Sequence, residues 1–525
     1  MPERSIESQL VTESLILAVS RCPMLGYLLI REGTARHWES SFSRFRDLLE
    51  KEAWEYEQEV LKQESRKGES LYLDEKEDLR ERMIQTQEAM RQGKNMILNG
   101  ALSGDEKRVC EKVHLTKEMG GSVLGDYLYL PFCVSHQKKS DLEEIKLKLA
   151  YAAYCLEFFQ GIKPREGILI DRGGRESKIE LASSKKILRR CMKQGERLLS
   201  GIKKFPRPQE HCPVCVKKNQ CYQYFIEKEW LYIVPEISLK QYHCLCSRGL
   251  ETIDHLTRAP EGAEVFEKYD LPGVNLPLWR VWKTWAQAYK NRHVILCQKP
   301  LIPSSRTEVI ISVFGDIISE KKLLIGILIV ENEPVSRISK ITRPFQKIFR
   351  HPCEERISWI DNQHKLVQLF VRPRDGEQRL LDRLIQILMG SMPCQVYFYG
   401  DYAEQSILEL LERNEIKHDQ AIRLKRSIHN EYSNLRQIVM RCLGIPTFSY
   451  SLRDVWYHLA WKSRHFGALS LREDTLFHSQ KWDVLYECRK WIKTKKEKHR
   501  ERLFLLNQNE MEAVLDILTC LKNYS

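Results

Sequence analysis

The stretch His211–Tyr222, HCPVCVKKNQCY, sets Cys212, Cys215 and Cys221 in a Cys-x2-Cys-x5-Cys spacing. The segment is polar, whereas cysteines without a ligand role more often sit in apolar runs. Zinc and a cubane iron–sulphur cluster each take four ligands. The motif supplies three of them. Zinc sites usually bring a second close pair, which does not follow here, though His211 stands beside the motif and can ligate zinc. A cluster accepts a fourth thiolate from far along the chain. Cys22, in SRCPMLGYLL, is the candidate for it.

The chain has 525 residues, enough for several domains, and its 42% apolar fraction is sufficient for real cores. Lys and Arg number 84 against 71 Asp and Glu, a net charge of +13 that suits a polyanionic partner but is spread thinly. No apolar run is long enough to span a bilayer. The N-terminus, MPERSIESQLVTESLILAVSRC, has acidic residues before its apolar part and lacks the features of a signal peptide. A cytoplasmic location is expected, without membrane partners. There the sixteen cysteines stay mostly reduced.

Periodicity orders the rest. Residues 1–30 suggest a short helix followed by CPMLGYLLI. Residues 38–92 are charged with apolar residues at helical spacing, broken near KGESLYLDE. NMILNGAL, KRVCEKVHL and DYLYLPFCVS look like strands, and SDLEEIKLKLAYAAYCLEFFQG reads as a helix capped by Ser140 or Asp141 and stopped by Gly161. EGILI and SKIEL form a strand pair, and a helix near 184–201 leads to the cysteines. Trp279, Trp282, Trp285 and Tyr289 recur at helical spacing, which favours the core face of a small helical domain over a base-stacking stripe. Beyond residue 300, two strands precede CQVYFYGDYAEQSILELLERN, a strand–helix unit, and further helices include 421–443. The basic run Arg489–Arg502 reads as a solvated helix face.

Cys-Pro-x-Leu-x-Tyr-Leu near the N-terminus, followed much later by Cys-x2-Cys-x5-Cys, resembles the iron–sulphur RecB-type nucleases. In them the N-terminal cysteine and the later three bind one [4Fe–4S] cluster that staples the nuclease domain. LGDYLYLP, LAYAAYCLEFFQGIKPREGILI and YSLRDVWYHLAW extend the likeness to bacterial two-nuclease proteins. The resemblance implies an α/β multidomain chain. Residues 1–228 form a restriction-endonuclease-like, RecB-type α/β domain closed by the cluster. Residues 229–295 form a small helix-hairpin-helix-like domain, and residues 296–525 an RNase H-like α/β domain. It implies Cys22, Cys212, Cys215 and Cys221 as ligands of a [4Fe–4S] cluster, with zinc the alternative, and DNA or RNA as partner.

The catalytic positions depart from the pattern. A PD-(D/E)xK site needs acids that bind a divalent ion, plus a Lys two residues after the second acid on one strand face. Asp126 followed by Glu144-Ile145-Lys146 imitates this. However, Glu144 and Lys146 lie in a helical pattern, where residues two apart point roughly 200° apart. By resemblance the acid-x-Lys positions fall at Cys133 and Ser135, and the earlier Asp near Val113-His114. Neither carries the required charges. The family's His-Glu pair corresponds to Tyr56-Glu57. In the last domain the Asp-x-Glu positions fall at Ser312 and Phe314, with Asp316 beyond them. The middle Asp falls at Gln437, the terminal acids at Asn507, Asn509 and Glu510, and Glu404 matches a minor motif. No catalytic set is assigned; Glu57 and Asp126 remain as candidate acids.

The resulting expectation is a nucleic-acid-binding nuclease relative, degenerate at both catalytic sites. Two alternatives stand beside it. One is an active Mg- or Mn-dependent DNA exonuclease with a rearranged site. The other is a zinc-stapled interaction protein.

Overall fold

A computed structural model describes residues 10–32, 41–135, 142–215, 217–269, 271–303, 305–332, 353–360, 364–371, 376–413, 433–461 and 480–525. The expected caps Ser140 and Asp141, and the first half of the expected 421–443 helix, lie outside them. The chain is a mixed α/β protein of two compact units, Met1–Glu39 with Arg46–Tyr224, and Ser40–Phe45 with Phe225–Ser525. Among the described residues, no helix is long and apolar enough to cross a membrane.

The first unit is built on one mixed sheet. Its strands are β1 (Val11–Thr12), β2 (Ser70–Tyr72), β3 (Met96–Asp105), β4 (Arg108–Ser122), β5 (Gly125–Val134), β6 (Glu166–Ile170) and β7 (Glu176–Glu180). They run in the order β2-β3-β4-β5-β6-β7, with β1 paired to β4. The helices are α1 (Glu13–Arg21), α2 (Pro23–Glu32), α3 (Ser41–Glu64), α4 (Leu79–Arg91), α5 (Leu142–Gln160), α6 (Lys185–Leu199) and α7 (Lys218–Glu227).

Strand alternation divides the core between the two sheet faces. Tyr129 and Cys133 of β5 join α5 and α6 in one cluster. Leu130 and Phe132 turn the other way and pack with Val60 and Leu61 of α3. The α5 helix is apolar nearly all round because it is sunk among strands and helices. Gly161 ends it with φ +72°, a left-handed turn that glycine takes without a Cβ clash.

A fork in this sheet positions the site described below. β4 and β5 stay paired up to His114 and Phe132. There they part: β5 continues beside β6, while β1 takes up the edge of β4 at Arg108 and Val109.

The second unit begins with four helices, α8 (Leu239–Cys246), α9 (Ile253–Arg258), α10 (Glu264–Tyr269) and α11 (Leu276–Asn291). Trp279, Trp282 and Trp285 on α11 are at most 1% exposed, so the tryptophan stripe is core. The Trp285 indole N–H donates to the Thr447 carbonyl at 2.7 Å. A short antiparallel pair joins β8 (Ile295–Leu296) to β14 (Leu443–Gly444).

The main sheet of this unit has the order β11-β12-β10-β9-β13. Its strands are β9 (Thr307–Asp316), β10 (Lys321–Glu331), β11 (Cys353–Trp359), β12 (His364–Val371) and β13 (Cys394–Tyr397). β12, β10 and β9 lie side by side, each antiparallel to the next, with β11 antiparallel at the edge beside β12 and β13 parallel to β9. Helices α12 (Glu377–Ser391) and α13 (Asp401–Arg413) cover one face. After α14 (Leu435–Cys442) and α15 (Leu452–Trp456), helices α16 (Gln480–Thr494) and α17 (Glu497–Tyr524) cover the other. Lys495, at φ +53°, breaks the basic run Arg489–Arg502 between those two helices.

Candidate functional site

The cysteine motif lies at the end of the first unit. Cys212 starts a single 3-10 turn, Cys215 follows it, and Cys221 stands on α7. Cys22 occupies the break between α1 and α2, and its N–H donates to the Ala18 carbonyl at 2.9 Å. These four cysteines line one small pocket together with His211, Arg207, Lys217 and Lys218.

A polar tie fixes the same juncture. Glu32, at the end of α2, accepts from Lys217 Nζ at 2.6 Å and from Gln220 Nε2 at 3.1 Å. The Lys217 hydrogen bond holds the Glu32 carboxyl below its usual range. Burial pushes the Cys221 thiol up to about 12, with the neighbouring Cys215, Cys22 and Cys212 pushing the same way. Burial likewise raises Cys215, with Cys22 adding to it. Several thiolates here are stable only with a cationic group to share their charge. The Gln209 N–H already donates to Cys212 Sγ at 3.2 Å.

Among the described residues, no group of three or more His, Cys, Asp or Glu side chains is arranged as an ion-holding set. The fit of a metal group to this pocket therefore rests on donor type. Four thiols lining one pocket, with no carboxylate beside them, suit iron–sulphur or zinc and not a hard oxygen-seeking cation. His211 keeps a mixed zinc set within reach; burial lowers its pKa, leaving the imidazole neutral and able to ligate.

The sheet fork carries the second candidate. Its small pocket is lined by Glu13, Lys112, His114, Phe132 and Lys148, among others. Glu57 of α3 contacts two of these lining residues. Its carboxylate accepts from Lys112 Nζ at 2.8 Å and lies 3.1 Å from His114 Nε2. The Asn99 N–H donates to His114 Nδ1 at 3.1 Å, which assigns the proton to Nε2 and makes His114 a donor to Glu57. Asn99 takes φ +57° where the β3–β4 register shifts, and that turn aims its N–H at the ring.

Burial pushes the Glu57 carboxyl up, but the His114 hydrogen bond and the Lys112 charge outweigh it and hold the group at about 2. Burial lowers His114 further than Glu57 raises it, so the ring is neutral. Lys112 also pairs with Glu75 at 2.8 Å. Lys148 of α5, half-buried, pairs with Glu13 at 3.4 Å, and the Glu13 charge holds its ammonium well above the usual range. Burial pushes the Cys133 thiol up to about 12, so it is neutral between these charges.

Glu57, His114 and Cys133 thus come to one fork, but the acids there are occupied by the chain's own cations and donors. Asp126 is elsewhere. It is exposed near the start of β5, seven positions from Cys133, roughly 23 Å along a strand rising about 3.3 Å per residue. Glu144 and Lys146 lie on α5 and part company, Glu144 pairing with Arg21 and Lys146 with Glu143. Glu13, Lys112 and Lys148 were missed in the sequence. The one available signal was Lys148 itself, a lone cation in the apolar run LKLAYAAYCL of α5.

In the second unit, Ser312 sits mid-strand on β9 opposite Gly326. Asn507 of α17 donates to Ser312 Oγ at 2.9 Å and accepts from Gln368 Nε2 at 2.9 Å. A Cβ on Gly326 would fall 2.2 Å from Asn507 Oδ1, so only glycine admits this approach. Glu510 is partly exposed as a residue while its carboxyl is enclosed; burial pushes it up to about 7 against a hydrogen bond with Ser312.

Phe314 lies in an apolar cluster with Leu324, Phe370, Trp491 and Phe504. Buried Asp316 is paired with Arg489 at 2.9 Å. Asn434 caps α14 by accepting from the Gln437 N–H, and the Gln437 side-chain amide donates to Asp401 at 3.4 Å, not to Ser312. Glu404 stands on α13. Ser312, Asn507 and Glu510 therefore meet, in a mesh that is neutral apart from Glu510.

Asn507→Asp tests that neutrality. A carboxylate there loses the donor to Ser312 and sits in a fully buried position. The expected cost is about 2–3 kcal/mol at neutral pH. The introduced acid has a raised folded pKa, so the penalty is absent below about pH 4 and grows as pH rises. Urea unfolding of this variant at acid and neutral pH checks both size and sign.

No protein-family model matches this sequence, and no curated protein matches it.

Proposed function

We propose that this protein is a nuclease-shaped nucleic-acid-binding protein that does not hydrolyse its ligand. One observation carries the reading: at the sheet fork, Glu57 is already paired with Lys112 and hydrogen-bonded by neutral His114, and Glu13 is paired with Lys148. A divalent ion would have to displace these internal partners before polarising a phosphate.

The topology supports the finer fold reading. Helix, three antiparallel strands, helix and a parallel strand (α4-β3-β4-β5-α5-β6) are what a RecB-type core requires. Three side-by-side antiparallel strands, β12-β10-β9, with β13 parallel to β9 on the far edge are what an RNase H-like sheet requires; β11 is an added strand beside β12. The neutral mesh of Ser312, Asn507 and Gln368 supports loss of chemistry there as well.

Cys22, Cys212, Cys215 and Cys221 would hold a [4Fe–4S] cluster, with zinc the alternative. Such a group supplies a cross-link between the chain's start and the end of the first unit. Electron transfer forms no part of this reading. DNA or RNA is the partner, through phosphate contacts that the basic balance favours.

Incubation of the anaerobically purified protein with Mg²⁺ or Mn²⁺ and labelled single- and double-stranded DNA and RNA is expected to leave every substrate intact while binding persists. Metal-dependent cleavage that disappears on substituting Glu57 or Glu510 would establish an active nuclease instead.

A further inference from the structure

The α6 helix has a role that neither the cysteine pocket nor the sheet fork uses. Its apolar side, Leu188, Cys191, Met192 and Leu198, is buried in the core of the first unit. The opposite side is basic. Lys186, Arg190, Lys193 and Arg197 recur at steps of four, three and four, which makes one stripe, and all four are exposed. Among the described residues none of these cations pairs with a carboxylate, and the single acid on the helix, Glu196, is taken by Arg108.

The segment that follows continues the charge. Lys203, Lys204 and Arg207 come next, with no acid from Ser200 to Gln209, and Arg207 lines the cysteine pocket. Among these cations stands Phe205, which is 67% exposed. Its ring lies 6.2 Å from that of Tyr224. An exposed aromatic within a row of uncompensated cations is the makeup of a single-strand platform, where phosphates run along the charge and a base stacks on the ring.

We propose that the α6 stripe and Phe205 form the track on which this protein holds single-stranded nucleic acid. This rests on the nucleic-acid-binding part of the reading above. Neighbouring cations on the stripe are about 5–6 Å apart, and the stripe rises about 16 Å from Lys186 to Arg197. A duplex would present phosphates but keep its bases from Phe205. An anionic membrane would have to bind by charge alone, because the apolar side of α6 is spent on the core.

The test is fluorescence anisotropy of the full chain with a labelled oligothymidylate about twenty nucleotides long, without divalent ions, across about 50–200 mM KCl. The triple variant K186E/R190E/K193E is expected to weaken binding more than tenfold. It should also flatten the log K against log salt slope by about 2, at about 0.7 per phosphate contact. Phe205→Ala is expected to weaken binding roughly tenfold with the slope unchanged, as lost stacking requires. K493E/K496E/K498E, three reversals in the other basic run, should bind like the parent.

Affinity within twofold of the parent for the α6 triple would overturn the track. So would an equal loss from the 493–498 triple. Equal affinity for duplex with no effect of Phe205→Ala would overturn the single-strand assignment, and binding to phosphatidylserine vesicles but not to the oligonucleotide would replace it with a membrane surface. If the charge-reversed triple melts abnormally, K186A/R190A/K193A serves in its place, with the same flattened slope expected. Cleavage in the metal assay would end the non-hydrolytic reading and leave the track standing; an unaffected α6 triple would do the reverse.

Discussion

Cys221→Ser is expected to lose iron and labile sulphide together and to lower the melting midpoint of the first unit by roughly 10 °C or more. The argument is one of scale. Apparent metal-binding free energies of structural sites run to about 10–16 kcal/mol, while whole domains are stable by about 5–15 kcal/mol. Losing even a third of such a contribution is therefore conspicuous. Cys22→Ser should give the same result, although it lies far from the motif in sequence, because both sulfurs line one pocket. The double variant should be little worse than either single one, since the two act on a single group. Cys297→Ser, at an exposed thiol outside the pocket, is the control. Zinc without sulphide in anaerobically prepared protein would select the zinc alternative. Absence of any metal, with unchanged melting in both variants, would reduce the four residues to packed thiols.

Glu57→Ala is expected to destabilise the first unit by about 3 kcal/mol. The size follows from the carboxyl's position at about 2 against an ordinary 4.5, where each pH unit is worth about 1.4 kcal/mol. The same change leaves the buried His114 Nε2–H without its acceptor, which costs in the same direction. Glu57→Gln should cost less, because an amide oxygen still accepts from His114 while the Lys112 charge goes unanswered. A depressed carboxyl stabilises fully above its unfolded pKa, and that stability is lost as pH falls. The parent should therefore lose this contribution between about pH 4.5 and 2, and Glu57→Ala should be flatter across that window. His114, buried and neutral, adds a loss in the same direction that begins below its ordinary 6.5. Urea midpoints from pH 7 to 3 measure both. A parent and variant with parallel acid profiles would show that the Glu57 network does not set the stability of the fork.

Those results would show that the Lys112–Glu57–His114 network at the fork is a stability element. In a catalytic arrangement, carboxylates are kept short of partners so that an ion completes them. Here Lys112, Lys148 and His114 complete them from within. In the second unit the Ser312 hydroxyl and the Asn507 and Gln368 amides satisfy one another without a carboxylate–cation pair.

Much of the architecture was legible in the sequence, because secondary structure is written in local periodicity. The alternation in β3, β4 and β5, the 3.6-residue pattern of α5 and the buried tryptophan face of α11 each depend on residues a few positions apart. The same local rule removed Glu144 and Lys146 as a catalytic pair, since a helix cannot aim both at one ion. The motif at Cys212, Cys215 and Cys221 was visible for the same reason. Only the tertiary structure decided what meets what. It brought Cys22 into the cysteine pocket, Glu57 to His114 across a helix–sheet interface, Ser312 to Asn507 through the space that Gly326 leaves, and it kept Asp126 at the far end of its strand. It also added Glu13, Lys112 and Lys148, whose spacing along the chain carries no signal. The physical reason is that such convergence is set by strand register and by the packing of helices on a sheet. These depend on the sum of many weak burial terms over the whole chain and not on any short run of residues.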